Sequence, residues 1–350
     1  MKKLNLLSLL TICLVLFSSL SGCKKNDDDD DNNNNNNNNG PWTELGVGNF
    51  NASIFTLCMD PSGNLYAAGG FTNSRGKFYV AKWDGVAWSE LGNLNVDGTI
   101  SSICSDAAGN IYAVGFTDTN LNAYMAIWNG SSWTYTPTVN ELFLDEVIAD
   151  NSGNIYALGT AQVYKWSGSW EAMNMAGWPH WTNGLLYAQG NLYVAGGALM
   201  GGTLGAVGVW NGSGWSYLGD INSYEQAYNL AMDAQGNLYA SGGFDFQSGY
   251  VLKWNGSSWT DLNLNGNDKV LGLTASTGGN IYAGGEFANA NNKFYVGKWN
   301  GTSWSEEGVG NFNSNILSIC AGNNGKVYVA GNFFRYLNGT NNYFVALYQE

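Results

Sequence analysis

The 350-residue sequence predicts an all-β fold, a seven-bladed β-propeller with four antiparallel strands in each blade. Three observations carry that expectation. Two short signatures alternate along the chain at a nearly fixed period. Apolar positions alternate with period two, and glycine interrupts every window long enough for a helix. The first strand of the repeat region supplies the strand that the last unit lacks.

The first signature is Trp-Asn-Gly-x-x-Trp, seen at Trp128-Asn129-Gly130-Ser131-Ser132-Trp133, with related forms from Trp83, Trp166 (one residue shorter), Trp210, Trp254 and Trp299. The second, Gly-Asn-Leu/Ile-Tyr, opens at Gly63, Gly109, Gly153, Gly190, Gly236 and Gly279, and Gly325-Lys326-Val327-Tyr328 is its seventh copy. Successive copies lie 46, 44, 37, 46, 43 and 46 residues apart. A period of this size marks a repeat architecture.

Residues 1–22 are read as a leader rather than as fold. Lys2 and Lys3 precede an apolar run from Leu4 to Leu20, too short and too soon followed by a cleavage signal to be a spanning helix. The run ends in Leu20-Ser21-Gly22-Cys23, which resembles a bacterial lipobox. That resemblance implies cleavage before Cys23, lipid on its thiol and an anchored protein, outer-membrane in a Gram-negative cell. An ordinary secretory signal with an incidental cysteine is the alternative. Residues 23–40 hold Lys24-Lys25, then Asp27 to Asp31 and Asn32 to Asn39. With no apolar side chain to offset the cost of ordering, they are expected to be a disordered tether. Charged residues just after a lipidated cysteine resemble the surface-export signal of some Gram-negative lipoproteins. The other reading is a solvated spacer, on the periplasmic face.

Residues 41–350 form the expected propeller. They carry 10 basic and 22 acidic side chains, a net charge of −12, which argues against nucleic acid or anionic lipid as a partner of this part. In the second unit, Ile100–Asp106 reads as a first strand, Ala107–Asn110 as a tight turn, and Ile111–Phe116 as a second strand. A polar loop leads to a third, Tyr124–Trp128, and Asn129–Ser132 turns into a fourth, Trp133–Tyr135. Asp60, Asp106, Asp150 and Asp233 each precede the turn glycine by three residues and are placed to accept bonds from turn amides. The last unit stops after its third strand, Phe344–Tyr348, while Trp42–Gly46 matches the fourth-strand segment Trp88–Gly92. Strand 42–46 should therefore complete the seventh blade and leave no open edge.

Trp42, Trp88, Trp133, Trp170, Trp215, Trp259 and Trp304 make a fourth-strand column. Trp83, Trp128, Trp166, Trp210, Trp254 and Trp299 make a third-strand column, with Tyr348 in the seventh place. Side chains repeated in every blade are expected to fill space between blades. Cys58, Cys104 and Cys320 share a column with Ile148, Leu185, Ala231 and Thr274, a place for small buried hydrophobes, so three free, buried thiols are expected.

At Asn64-Leu65-Tyr66-Ala67-Ala68-Gly69-Gly70 the unit resembles a kelch repeat. The paired glycine recurs at Gly196-Gly197, Gly242-Gly243 and Gly284-Gly285, while Gly115, Gly159 and Gly331 keep only its second member. The Trp-Asn-Gly-x-x-Trp turn looks more like the propeller repeats of secreted bacterial proteins. Fold is implied over 41–350, and function is not. Oxidases related to kelch proteins hold copper through Tyr and His; with His180 the only histidine, that chemistry does not carry over.

The same single histidine excludes multi-His zinc, copper and iron sites, and no cofactor-binding motif is found. The Gly190-Asn191 copies are hairpin turns, not phosphate loops. Asp145-Glu146 and Glu306-Glu307 are adjacent carboxylates, and neighbours on a strand point to opposite faces, so neither is an acid–base couple by itself. One stretch, Met173 to Asn183, departs from the repeat in a concentrated way and holds Trp178, His180 and Trp181 between two blades. Two aromatics around an imidazole offer a stacking surface for a glycan or peptide; the competing reading is packing within a short blade. Phe50, Asn51, Tyr224, Glu225, Phe246, Phe312, Asn313, Arg335 and Tyr336 are placed on the same loop face. Three function classes stay open: a non-enzymatic binder of an extracellular glycan or protein, a polysaccharide-active enzyme using Asp145, Glu146 and Glu225, and a structural envelope subunit.

Overall fold

The computed structural model describes residues 42–350 apart from 118–121, 138, 140, 176–179, 199–203, 224–225, 244–248, 265 and 324. For a few strand residues, His180 among them, it describes the backbone alone. The leader and tether, Cys23 included, lie outside these residues. The described chain contains strands and turns and no helix.

Seven antiparallel sheets make up the ring, and six of them run in chain order from an innermost first strand to an outermost fourth. Blade 1 comprises Ile54–Met59, Leu65–Gly69, Ala81–Trp83 and Trp88–Glu90. Blades 2 to 6 repeat the order from Ile100, Glu146, His180, Gln226 and Val270. First strands touch in sequence around the ring, and that of blade 7, Ile316–Ala321, closes against that of blade 1. Blade 7 takes its outermost strand from Trp42–Phe50, which pairs with Thr340–Gln349 from Trp42↔Tyr348 to Leu45↔Val345. The closure expected from the repeat count is the one observed. Blade 7 also carries an addition that the repeat does not announce, a strand Phe334–Leu337 folded back onto Thr340–Gln349.

The tryptophan columns hold blades together along their outer parts. Each third-strand Trp faces its fourth-strand partner across the sheet, with centroids 5.2–5.6 Å apart in six blades, and Trp42 meets Tyr348 at 5.2 Å in the seventh. The rings are half-buried rather than central, Trp42 excepted. Their Nε1 groups reach backwards: Trp88 donates to Leu45 O (2.7 Å), Trp133 to Leu91 O (2.6 Å), Trp259 to Leu218 O (3.1 Å) and Trp304 to Leu262 O (3.0 Å). Gly92, at φ +63°, follows the accepting Leu91, and a methyl group there would collide with the Trp128 ring. Trp215 breaks the pattern. Gln162 Nε2 occupies Met173 O at 2.6 Å, the carbonyl three residues past Trp170, and Trp215 Nε1 is left buried without a partner.

The first-to-second-strand turns are built on a carboxylate cage. Asp60 Oδ1 accepts from Ser62 N and Asn64 N (both 2.9 Å), and Oδ2 accepts from Asn64 Nδ2 (2.7 Å) and Tyr66 OH (3.0 Å). Asp106, Asp150 and Asp233 repeat all four bonds. The expected turn bonds are present, and the tyrosine and asparagine side chains complete them. Blade 6 has Ser276 in the Asp position, and its carboxylate arrives from elsewhere. Glu350 Oε1 accepts from Ser276 Oγ (3.1 Å), Asn280 Nδ2 (2.5 Å) and Tyr282 OH (2.7 Å).

A second belt runs around the innermost strands. Leu57 N donates to Ser318 Oγ (3.0 Å), Ile103 N to Thr56 Oγ1 (3.3 Å), Val147 N to Ser102 Oγ (3.3 Å) and Leu185 N to Glu146 Oε2 (2.6 Å). Cys58, Cys104 and Cys320 are unpaired thiols opposite Tyr66, Tyr112 and Tyr328; the first two are buried and Cys320 is half-buried. Burial pushes all three thiols up, that of Cys320 to about 12. In blade 4 the residue at this level is Leu186, opposite Tyr193, rather than the expected Leu185. Gln189 and Gly190, at φ +51° and +79°, make a turn one residue tighter than in the other blades, so spacing counted back from the glycine overshoots.

Candidate functional site

The residues expected on the loop face divide into three groups. Trp178, Tyr224, Glu225 and Phe246 lie outside the described residues. His180 opens the strand His180–Ala188 in register with Ala198, and the half-buried Trp181 is opposite Gly197. The segment behind them is fixed to both neighbouring blades, because Thr182 Oγ1 donates to Gly159 O (2.9 Å) and Asn183 Nδ2 to Ala227 O (2.9 Å).

Phe50, Phe312, Asn51 and Asn313 serve the fold instead. Phe50 and Phe312 are 2% and 3% exposed and pack on Phe71 (centroids 4.5 Å apart) and Phe333 (4.9 Å). Asn51 Oδ1 accepts from Thr72 N and Asn313 Oδ1 from Phe334 N, both at 2.9 Å. The near-duplicate segments Gly46–Asn51 and Gly308–Asn313 therefore perform one packing role twice. Sequence reasoning missed it because a phenylalanine after a Gly-rich stretch reads as loop. In blade 7 the strand leaves register after Leu45 and rejoins it at Phe50.

Arg335 and Tyr336 occupy the added hairpin of blade 7. Arg335 Nε lies 2.6 Å from Glu44 Oε1 on the closing strand, and its guanidinium sits 5.2 Å from the Phe344 ring centroid. Asn342 Nδ2 donates to Leu337 O (3.3 Å) and Thr340 O (3.0 Å) across the turn. The hairpin is thus braced, and it carries Tyr336 at 70% exposure beside an exposed Leu337.

A further group gathers in blade 3. Asp145 N donates to Leu158 O (2.9 Å), and Leu158 is also the residue opposite Glu146, so two residues face one. Across this bulge the charge of Asp145 bears on Glu146. Burial pushes Asp145 up to about 7, with the charge of Glu141 adding to it. Burial also pushes Glu146 up to about 8, partly offset by the Leu185 amide and reinforced by Asp145. Glu141 accepts from Tyr164 OH (2.8 Å) and sits against Gly159. Two half-buried acids held near neutrality can donate or accept a proton at physiological pH.

A cavity opens on the other face, among the first-to-second-strand turns of blades 7, 1, 2 and 3. It measures ≈ 420 Å³ and is lined by Asp60, Pro61, Asp106, Asp150, Asn151 and Asn323, together with Met59, Ser105 and Ala321. Burial would raise the Asp60 and Asp150 carboxyls, but the Asn64, Tyr66, Asn154 and Tyr156 bonds hold them below the usual range. This mouth keeps negative charge. Among the described residues no three His, Cys, Asp or Glu side chains are grouped as a metal ion would require.

These features define the chain as a seven-bladed β-propeller of four-stranded blades closed by its N-terminal strand. No protein-family model matches it, and no curated protein matches it in sequence. Solved structures do. A catalytically inactive histidine-to-alanine variant of virginiamycin B lyase from Staphylococcus aureus, solved with quinupristin, aligns at TM-score 0.69 and 10% identity over 88% of this chain and 99% of that one. YCF48 bound to a D1 peptide aligns at TM-score 0.62 and 14% identity, over 88% and 94%. The extracellular domain of a putative one-component system from B. thetaiotaomicron aligns at 0.63 and 12%, over 88% of this chain and 40% of that one. At such identities the likeness is one of fold.

Proposed function

We propose that the protein is a lipid-anchored propeller of the bacterial cell envelope that binds an extracellular glycan or protein through its loop face without transforming it. The anchor is Cys23, the tether is 23–40, and the outer membrane is the location. The observation that carries the reading is the braced hairpin of blade 7, which holds Tyr336 in solvent on a strand that no other described blade possesses. A rigid, exposed aromatic loses little freedom on binding and suits the centre of an interface. Trp178, His180, Trp181 and Tyr224 join the proposed contact set on the strength of the sequence alone. An extracellular domain of similar fold fits that location.

Tyr336→Ala, and Ala at Trp178, His180 and Trp181 together, are expected to abolish retention on glycans or envelope fractions with the fold intact. Unchanged retention by both variants sinks the reading. Replacing Cys23 by Ala is expected to move the chain out of the membrane fraction and end fatty-acid labelling.

A second reading, an enzyme acting on polysaccharide, draws on Asp145 and Glu146, whose raised pKa values suit proton transfer. Its weakness is placement: the pair sits on one strand of one blade, whereas glycosidic cleavage uses carboxyl groups flanking the bond. Glu225 would have to supply the second side. Depolymerisation abolished by Asp145→Asn or Glu146→Gln would favour it over binding.

A further inference from the structure

Six Asn-Gly pairs lie among the described residues, at Asn129, Asn183, Asn211, Asn255, Asn300 and Asn338. Such pairs are chemically labile, because glycine leaves its amide nitrogen unshielded beside the asparagine side chain. Exposure does not rank them, since Asn129, Asn211, Asn255, Asn300 and Asn338 are all exposed. Hydrogen bonding does.

In the four Trp-Asn-Gly turns the asparagine side chain is held by three donors. Asn129 Oδ1 accepts from Ser131 N (3.0 Å), Ser131 Oγ (2.9 Å) and Ser132 N (2.9 Å). Asn211 accepts from Ser213 N, Ser213 Oγ and Gly214 N at 2.9–3.1 Å. Asn255 and Asn300 repeat the arrangement with Ser257 and Ser258, and with Thr302 and Ser303. Asn183 lies within a strand, its amide bonded to Ala227 O. Asn338 differs. It sits at φ +53° in the two-residue turn between Leu337 and Thr340, and its side chain makes no hydrogen bond among the described residues. Gly339, at φ +82°, has nothing within 4 Å of the place a Cβ would take. The bonds that brace this hairpin, from Thr340 Oγ1 and Asn342 Nδ2 to Leu337 O, bypass Asn338 altogether.

We propose that Asn338 is a spontaneous modification site, converting through a cyclic imide to aspartate and isoaspartate. The Gly339 amide nitrogen loses its proton and attacks Cγ of Asn338. An N–Cγ bond forms, the Cγ–Nδ2 bond breaks, and the side-chain nitrogen leaves with the proton as ammonia. Water then opens the imide at either carbonyl, giving aspartate or isoaspartate; no oxidant or reductant takes part. In the four repeat turns the same attack first requires the side chain to leave three donors, and surrendering even one or two such bonds slows it by about tenfold. Conversion places a new carboxylate two residues from Tyr336. The isoaspartate product lengthens the main chain by one carbon inside a two-residue turn, which disturbs the Leu337↔Thr340 register. None of this depends on the hairpin having a binding role.

The test is incubation of the full-length chain at mildly alkaline pH, folded and in urea, followed by proteolysis and mass spectrometry of the six peptides. In the folded chain Asn338 is expected to convert about tenfold or more faster than Asn129, Asn211, Asn255 and Asn300. In urea the difference should vanish, because the turn bonds are gone. Asn338→Gln should remove the modified hairpin peptide and leave the other rates unchanged. A folded chain whose Asn338 stays intact, or converts no faster than the four turn asparagines, overturns the proposal.

Discussion

Asp150 engages both carboxylate oxygens, two bonds apiece, and Glu146 occupies the opposite regime, half-buried with one strong donor. Their titrations pull stability in different directions. The folded-state pKa values of Asp60, Asp150 and Asp233 are depressed, so their contribution is present above the unfolded value, about 3.9, and is lost as pH falls through the folded one. Glu146, raised to about 8, favours the protonated folded state; its contribution is complete below about 4.5 and fades as pH rises to about 8. The melting temperature should therefore peak at mildly acidic pH, about 5, and fall toward both sides. Glu146→Gln should lessen the alkaline decline by roughly 2–4 kcal/mol, leaving the part that belongs to Asp145, raised to about 7, and leaving the acid limb unchanged. A decline of the same slope in the variant would assign it to another group. Asp150→Asn should cost about 1–3 kcal/mol at neutral pH, and its gap from the parent chain should close in acid. The Asp cage was legible in sequence from its offset to the turn glycine. The raised pKa values of Asp145 and Glu146 were not legible, because a bulge on an inner strand leaves no mark in the residues that form it.

Adjacent blades meet through the fourth-strand tryptophans, and their chemistry separates ring packing from the hydrogen bond. Trp133→Phe keeps an aromatic ring but leaves Leu91 O without its donor, and should lower stability by about 1 kcal/mol, read as a shifted urea midpoint at constant m. Trp215→Phe removes a buried N–H that has no partner, so it should be neutral or stabilising. Equal losses in the two would mean that the rings alone matter. Gly92→Ala should be worse than either, because the backbone must leave φ +63° and the Trp128 ring must move. Period and strand alternation exposed the blades themselves. The hairpin of blade 7 was hidden, since Phe334–Leu337 extends a connection that blades 1 and 6 close with single bridges, Thr72↔Phe78 and Ala288↔Phe294, and the Gln162–Met173 contact depends on a side chain that no repeat column contains.

Over the whole ring, the match between Trp42–Gly46 and Trp88–Gly92 disclosed how the ends would meet, yet nothing local disclosed Glu350, which acts on blade 6 from 74 positions beyond Ser276. Glu350→Ala should lower the melting temperature by the equivalent of about 1–3 kcal/mol, and Ser276→Asp in that background should restore part of it. No restoration would place the loss in blade 7 instead of in the cage. The junction of Trp42–Phe50 with Thr340–Gln349 also bears on how the molecule comes into being. The strand Trp42–Phe50 has no lateral neighbour until residues 340–349 have been made, so every earlier nascent intermediate exposes a bare edge along it, and a chain stalled anywhere before residue 340 stays an open arc with that edge available to other polypeptides.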